Sequence, residues 1–194
     1  MEPNQKEQLT SEESLKIISQ MIHTAKGTIA NNSFYFLLWG WVSVIGNLGH
    51  YILLKYTAFE APYSIWLISI PAAIVSFTYG YIQGKNARVK TYSSNVTFWV
   101  WMCFMVNLVL LLIFMNSINY NINPLIMMFA AMATFLSGIV LKFKPLKIGG
   151  ILFWILAIVA FLSSYENQML IAAISLVTGY LIPGYMLKNR SNNG

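Results

Sequence analysis

Residues 62–90, PYSIWLISIPAAIVSFTYGYIQGKNARVK, decide the fold of this chain. No charged residue interrupts the stretch before Lys85, and Arg88 and Lys90 follow shortly after it. A helix needs about 20 predominantly apolar residues to cross the hydrocarbon core of a bilayer, so the stretch predicts a membrane-spanning helix. By the positive-inside rule, the basic residues that follow predict that this helix ends on the cytoplasmic side.

Similar apolar stretches occur on both sides of this one. The chain of 194 residues has 57% hydrophobic and 9% charged residues, against roughly 25% charged residues in soluble domains. The mean hydropathy is +0.61. We therefore predict an all-α fold, a polytopic membrane protein with a cytoplasmic leader over residues 1–32, a transmembrane domain over 33–188 and a tail over 189–194. The six predicted spans are 33–56, 62–83, 95–115, 122–141, 148–164 and 168–187.

The basic residues orient this pattern. Eleven of the twelve Lys and Arg residues fall on one side of the six spans, and Lys55 alone falls on the other. Short loops rich in Lys and Arg stay in the cytoplasm. We therefore expect a multi-pass protein of the cell membrane with both termini in the cytoplasm. The basic residues are spread over four segments, which favours contact with the lipid bilayer and argues against nucleic acid as a partner.

The leader contains a predicted amphipathic helix over about residues 9–30. Leu15, Ile18 and Ile22 recur with a period near 3.6, and polar residues occupy the rest of the helical wheel. We expect this apolar face to dock on the membrane surface or on a cytoplasmic protein partner. The leader is polar and lacks the apolar core of a signal peptide.

An internal repeat relates the spans to one another. Trp39, Trp41 and Asn47 of span one recur sixty positions later in span three as Trp99, Trp101 and Asn107. The even spans share small residues at positions i, i+3 and i+7, which lie on one helical face. We predict three antiparallel hairpins of common origin, packed through these small residues. The small residues are Ala73, Ser76 and Gly80, then Ala131, Thr134 and Gly138, then Ala172, Ser175 and Gly179.

Three polar residues inside the spans form the candidate ligand-binding site. His50 is the one ionisable group predicted to lie well inside a span, and Asn47 lies one turn earlier on the same face. The repeat places Asn107 at the depth of Asn47. These three residues either bind a ligand or hold the helices together by hydrogen bonds.

Catalytic and metal-binding patterns are absent from the sequence. The chain contains two His residues and one Cys, and His23 lies in the leader, far from His50. No GxSxG or HExxH motif occurs. The sequence therefore predicts no enzyme activity, no catalytic residue, no metal and no cofactor.

The sequence is compatible with two functions. The first is a membrane-embedded accessory, sensor or interaction protein without enzymatic activity. The alternative is a small-molecule transport component, such as the permease subunit of an ATP-driven exporter of apolar or amphiphilic solutes. Such permeases resemble this chain in having six spans, cytoplasmic termini and an interfacial helix at the N-terminus. Assembly into a homo-oligomer is compatible with both functions.

Overall fold

The computed structural model of the chain describes residues 11–86 and 92–193, which consist of helices and short turns. A 3₁₀ segment, Pro62–Ile68, precedes the second α-helix, and another, Met115–Ile118, follows the third. A π-helical segment, Val177–Leu181, joins the last two α-helices. The α-helices are α1 Ser11–Tyr56, α2 Ser69–Asn86, α3 Tyr92–Ile113, α4 Ile122–Val140, α5 Lys144–Phe161, α6 Tyr165–Leu176 and α7 Ile182–Asn193.

Within the described ranges, six helical stretches are long and apolar enough to cross a membrane. This finding confirms the all-α class and the number of spans. Span five begins at Lys144, four residues before the predicted start. The hydropathy pattern missed this first turn because Lys144 and Lys147 lower its hydropathy. Pro145 is well placed there, since the first turn of a helix leaves its backbone N–H groups without intrahelical partners. The spans are Ser33–Tyr56, Pro62–Lys85, Tyr92–Ile113, Ile122–Val140, Lys144–Phe161 and Tyr165–Arg190.

The first helix is unusually long. The helical backbone of α1 continues over 46 residues, through the predicted boundary between the leader and span one. The predicted docking residues Leu15, Ile18 and Ile22 belong to its first part, where side chains fall outside the described part of the structure. Their role stays a prediction.

The packing of the bundle is uneven. Span six, made of α6, the π-helical segment and α7, lies at the centre and contacts α1, α4 and α5. The most extensive helix contact joins α4 to α5. Helix α2 packs on α1, and α3 packs mainly on α4. The fold is therefore a core of four spans with spans two and three on its outside.

Pro71 and Pro183 lie where their helices change winding. Pro71 stands in the first turn of α2, directly after the 3₁₀ segment. Pro183 follows the π-helical segment, in which the N–H of Ile182 donates to the carbonyl of Val177, five residues earlier. Because proline has no N–H to donate, a local change of winding re-pairs the neighbouring carbonyl groups. Span six is therefore irregular at the level where it is most deeply packed.

Candidate functional site

His50 lies near the end of α1 against the 3₁₀ segment that precedes α2. The indole Nε1 of Trp66 donates a hydrogen bond of 3.3 Å to Nδ1 of His50. The ring of Tyr165, at the start of α6, stands edge-on to the imidazole at 6.4 Å between ring centroids. Gly46 allows this arrangement, since a Cβ atom there would lie 2.8 Å from the Trp66 ring. His50 therefore links span one to both neighbouring helical ends.

Asn47 lies one turn before His50 and is buried, with 4% of its surface exposed. Its Nδ2 donates a hydrogen bond of 2.9 Å to the backbone carbonyl of Ser43. Its Oδ1 is buried without a hydrogen-bond partner. A buried acceptor without a partner is destabilising by about 1–3 kcal/mol in a protein interior. Asn47 is therefore the member of the predicted cluster with unused capacity to bind a donor.

Asn107 occupies a different environment on α3. It is half-buried, and its Nδ2 donates a hydrogen bond of 2.8 Å to the carbonyl of Cys103 in the same helix. No hydrogen bond joins Asn47, His50 and Asn107, all three of which belong to the described part of the chain. The structure keeps Asn47 and His50 on neighbouring turns of one helix and places Asn107 on another.

The small residues of the even spans have unequal surroundings. In span four Ala131, Thr134 and Gly138 are buried, and so are Ala172, Ser175 and Gly179 in span six. In span two Ala73, Ser76 and Gly80 are half-buried. Spans four and six therefore present small residues to the interior of the bundle, whereas span two presents them to its edge.

The buried small residues permit backbone contact between helices. A Cβ atom on Gly138 would lie 2.7 Å from the backbone nitrogen of Lys147. A Cβ on Gly150 would lie 2.9 Å from the carbonyl oxygen of Ala131. Gly149 meets Gly179 in the same way: a Cβ on Gly149 would lie 2.8 Å from the carbonyl oxygen of Gly179. The small-residue pattern of the even spans does not include Gly149 and Gly150, although a pair of adjacent glycines inside a span is visible in the sequence.

A buried tyrosine stands at the centre of the bundle, and the sequence patterns do not single it out. Tyr180, in the π-helical segment, is 5% exposed, and its phenol interacts with the side chain of Thr134. Three aromatic rings surround it edge-on, with centroids at 5.4 Å for Phe36, 5.9 Å for Trp101 and 5.2 Å for Phe153. These rings come from α1, α3 and α5, so Tyr180 ties the central span to three others. Ala172, Leu176 and Tyr180 are all buried and spaced four residues apart, so Tyr180 continues the buried face of span six.

Two hydrogen bonds of the same kind join spans one and two and spans three and four. Nε1 of Trp39 donates to Oγ of Ser76 at 3.0 Å, and Nε1 of Trp101 donates to Oγ of Ser137 at 3.2 Å. The predicted repeat aligns Trp39 with Trp99 instead, and Trp99 is exposed. The two bonds align Trp39 with a residue two positions beyond its predicted match and Ser76 with a residue three positions beyond its predicted match, so they do not confirm the repeat.

No cluster of three or more His, Cys, Asp or Glu residues that could hold a metal ion occurs within the described ranges. His50, a predicted ligand-binding residue, has contacts with Trp66 and Tyr165. No family model, curated protein or solved structure matches this chain.

Proposed function

We propose that this protein is a non-enzymatic component of the cell membrane that acts by binding other transmembrane helices through its outlying spans, two and three. Its termini lie in the cytoplasm, as the distribution of basic residues predicts. The six apolar helices of the described chain are compatible with an integral membrane protein. The assignment as an accessory or interaction protein goes beyond that finding and rests on the uneven packing of the spans.

The degree of burial carries this proposal. In spans two and three 6% of the apolar segment is buried inside the protein, compared with 44% in span four and 56% in span six. Helix association in lipid is driven by packing and hydrogen bonds, because lipid is as apolar as the helix surface. Spans one, four, five and six already form a packed core, so the outer faces of spans two and three are free to pack against a partner.

Asn107 supports the choice of span three as the binding element. Its amide bonds to its own helix, through the carbonyl of Cys103, while the side chain stays partly exposed on a helix whose outer surface is apolar. A polar amide in contact with hydrocarbon favours association with a helix that supplies a hydrogen-bond partner. A neighbouring transmembrane helix, from another protein or a second copy, provides such a group.

The packing around Tyr180 supports this proposal over the alternative of a permease subunit. A permease needs a path for its solute between the spans. In this structure the centre of the bundle is filled by the rings of Tyr180, Phe36, Trp101 and Phe153. The exposed surfaces of spans two and three face outward, away from any central path.

Photocrosslinking in native membranes tests the proposal. A benzoylphenylalanine probe replaces Val106, which is 55% exposed on α3, and in a matched variant it replaces Ile158, which is 62% exposed on α5. The probe reacts with neighbouring C–H bonds, so it reports on lipid and protein alike. We expect a discrete protein adduct from position 106 and lipid adducts alone from position 158.

The variant Asn107→Leu distinguishes specific binding from random collision. We expect it to remove the protein adduct at position 106 while leaving the melting temperature of the purified protein unchanged. Equal adducts at positions 106 and 158, or lipid adducts at both, would contradict the proposal. An adduct with a membrane subunit that carries or recruits an ATPase would favour the permease alternative.

A further inference from the structure

Six of the seven basic side chains that the structure describes lie at one end of the bundle. This basic end is formed where α2, α4 and α7 finish and α5 begins, and its described basic residues are Lys85, Lys142, Lys144, Lys147, Lys188 and Arg190. The carboxylates whose side chains the structure describes, Glu60 and Glu166, lie at the opposite end. The ion pair found within the described residues, Lys55 with Glu166 at 3.8 Å, lies there too. The basic end therefore has no described carboxylate to balance its charge.

One of these cations is held in place by an aromatic ring. Cζ of Arg190, at the end of span six, lies 5.8 Å from the centroid of the Phe143 ring. Phe143 is 7% exposed and sits in the turn between α4 and α5, where its N–H donates a hydrogen bond of 2.9 Å to the carbonyl of Gly138. The ring is thus a fixed platform. A guanidinium that stacks on a ring keeps the N–H groups along its edge free to donate.

Two lysines flank this platform. Lys142 and Lys144 are the chain neighbours of Phe143, and both side chains are exposed. Lys142 has a φ of 50°, a left-handed conformation that reverses the chain between α4 and α5. The turn therefore places Lys142 and Lys144 next to Phe143 in the chain, at the same end of the bundle as Arg190.

We infer that Arg190, stacked on Phe143 and flanked by Lys142 and Lys144, is a binding site for the phosphate of an anionic phospholipid. Arg190 closes span six and Lys144 opens span five, so the site lies at the level of the lipid headgroups. A guanidinium binds two phosphate oxygens through parallel hydrogen bonds. Zwitterionic lipids carry a positive group that the two lysines repel, so the site selects lipids with net negative charge.

Lipid titration of the purified full-length protein, read by native mass spectrometry, tests this site. The probes are phosphatidylglycerol and phosphatidylcholine with the same acyl chains. We expect Arg190→Gln to weaken phosphatidylglycerol binding about tenfold, the usual effect of losing a charge-assisted hydrogen-bonding pair. The matched control is Lys188→Gln, which removes an equal charge from the same helix two residues away and should change binding by less than about twofold.

The conservative variant Arg190→Lys separates geometry from charge. It keeps the positive charge but loses the planar group that stacks and binds bidentately, so we expect an intermediate loss of about threefold. If Arg190→Gln lowers the melting temperature of the lipid-free protein, Lys144→Gln serves as the test variant and should weaken binding about threefold.

Three results would overturn the assignment. Equal losses in Arg190→Gln and Lys188→Gln would show general attraction to a positive surface. Equal binding of phosphatidylcholine and phosphatidylglycerol would show that net lipid charge is not recognised. Displacement of phosphatidylglycerol by inorganic phosphate at equal concentration would identify free phosphate as the ligand. None of these results bears on the partner proposed for span three.

Discussion

Spans two and four have small residues at the same spacing but pack in different ways. Gly138 of span four meets the backbone of α5, and a Cβ atom there would lie 2.7 Å from the nitrogen of Lys147. Gly80, the equivalent residue of span two, meets the far end of a side chain, with the hydroxyl of Tyr35 at 2.9 Å from a Cβ in that position. The same spacing therefore allows helix backbones to touch in one place and accommodates aromatic side chains in the other.

The helix opposite explains the difference. Facing α4, α5 presents Gly150, which meets the backbone of Ala131, so both partners are small and the backbones approach closely. Facing α2, α1 presents Tyr35 and Trp39, whose side chains fill the space and bond to Ser76. Close approach in lipid needs small residues on both helices. A stripe of small residues on one helix is compatible with either outcome.

The largest effect should come from Gly138→Ala. The added Cβ would collide with the backbone of α5, which cannot move aside as a flexible side chain can, so we expect a loss of about 3 kcal/mol in the free energy of unfolding. Equilibrium unfolding in mixed detergent micelles measures it. Gly84→Ala is the control, because a Cβ atom at that position of α2 would have nothing within 4 Å. A stable Gly138→Ala protein would show that α4 and α5 are not in backbone contact.

Gly179→Ala should be the next most damaging change. Its Cβ would collide with the ring of Phe153, which is 1% exposed and has little room to move. We expect a loss of about 2 kcal/mol from overpacking. The second substitution Phe153→Leu creates space, so the double variant should be less destabilised than the two single losses added together. Strict additivity would mean that the two residues do not contact each other.

The two Trp–Ser hydrogen bonds offer a matched comparison of intermediate size. Trp101→Phe removes the bond to Ser137, which is fully buried, and should cost about 1 kcal/mol. Trp39→Phe removes the bond to Ser76, which is half-buried at the edge of the bundle, and should cost less. Thermal unfolding of both variants in one detergent decides the order. A larger loss for Trp39→Phe would reverse the assignment of span two as the less tightly packed region.

The smallest effect should come from Gly80→Ala. The hydroxyl of Tyr35 can move by a side-chain rotation, so we expect a change below about 0.5 kcal/mol. The same unfolding measurement applies. A loss as large as that of Gly138→Ala would show that α2 lies as close to α1 as α4 lies to α5, and the contrast between the two spans would disappear.

Much of the fold could be predicted from local patterns. The apolar runs predict the all-α class and six spans, with span one matching at Ser33–Tyr56, and hydropathy fails mainly at Lys144, where a helix begins with basic residues. The contacts of the candidate site could be predicted only in part. The shared helical face of Asn47 and His50 was visible, but the bond from Trp66 joins residues 16 positions apart through a 3₁₀ segment.

The sequence by itself determined how many helices are apolar enough to cross a membrane and where their charges lie, because hydropathy and charge belong to each segment alone. The tertiary structure decided which small-residue face is buried, which rings surround Tyr180, and that spans two and three stand outside the core. Those outcomes depend on the shape of the opposite helix. A glycine allows close approach, and the neighbouring side chains determine whether it occurs.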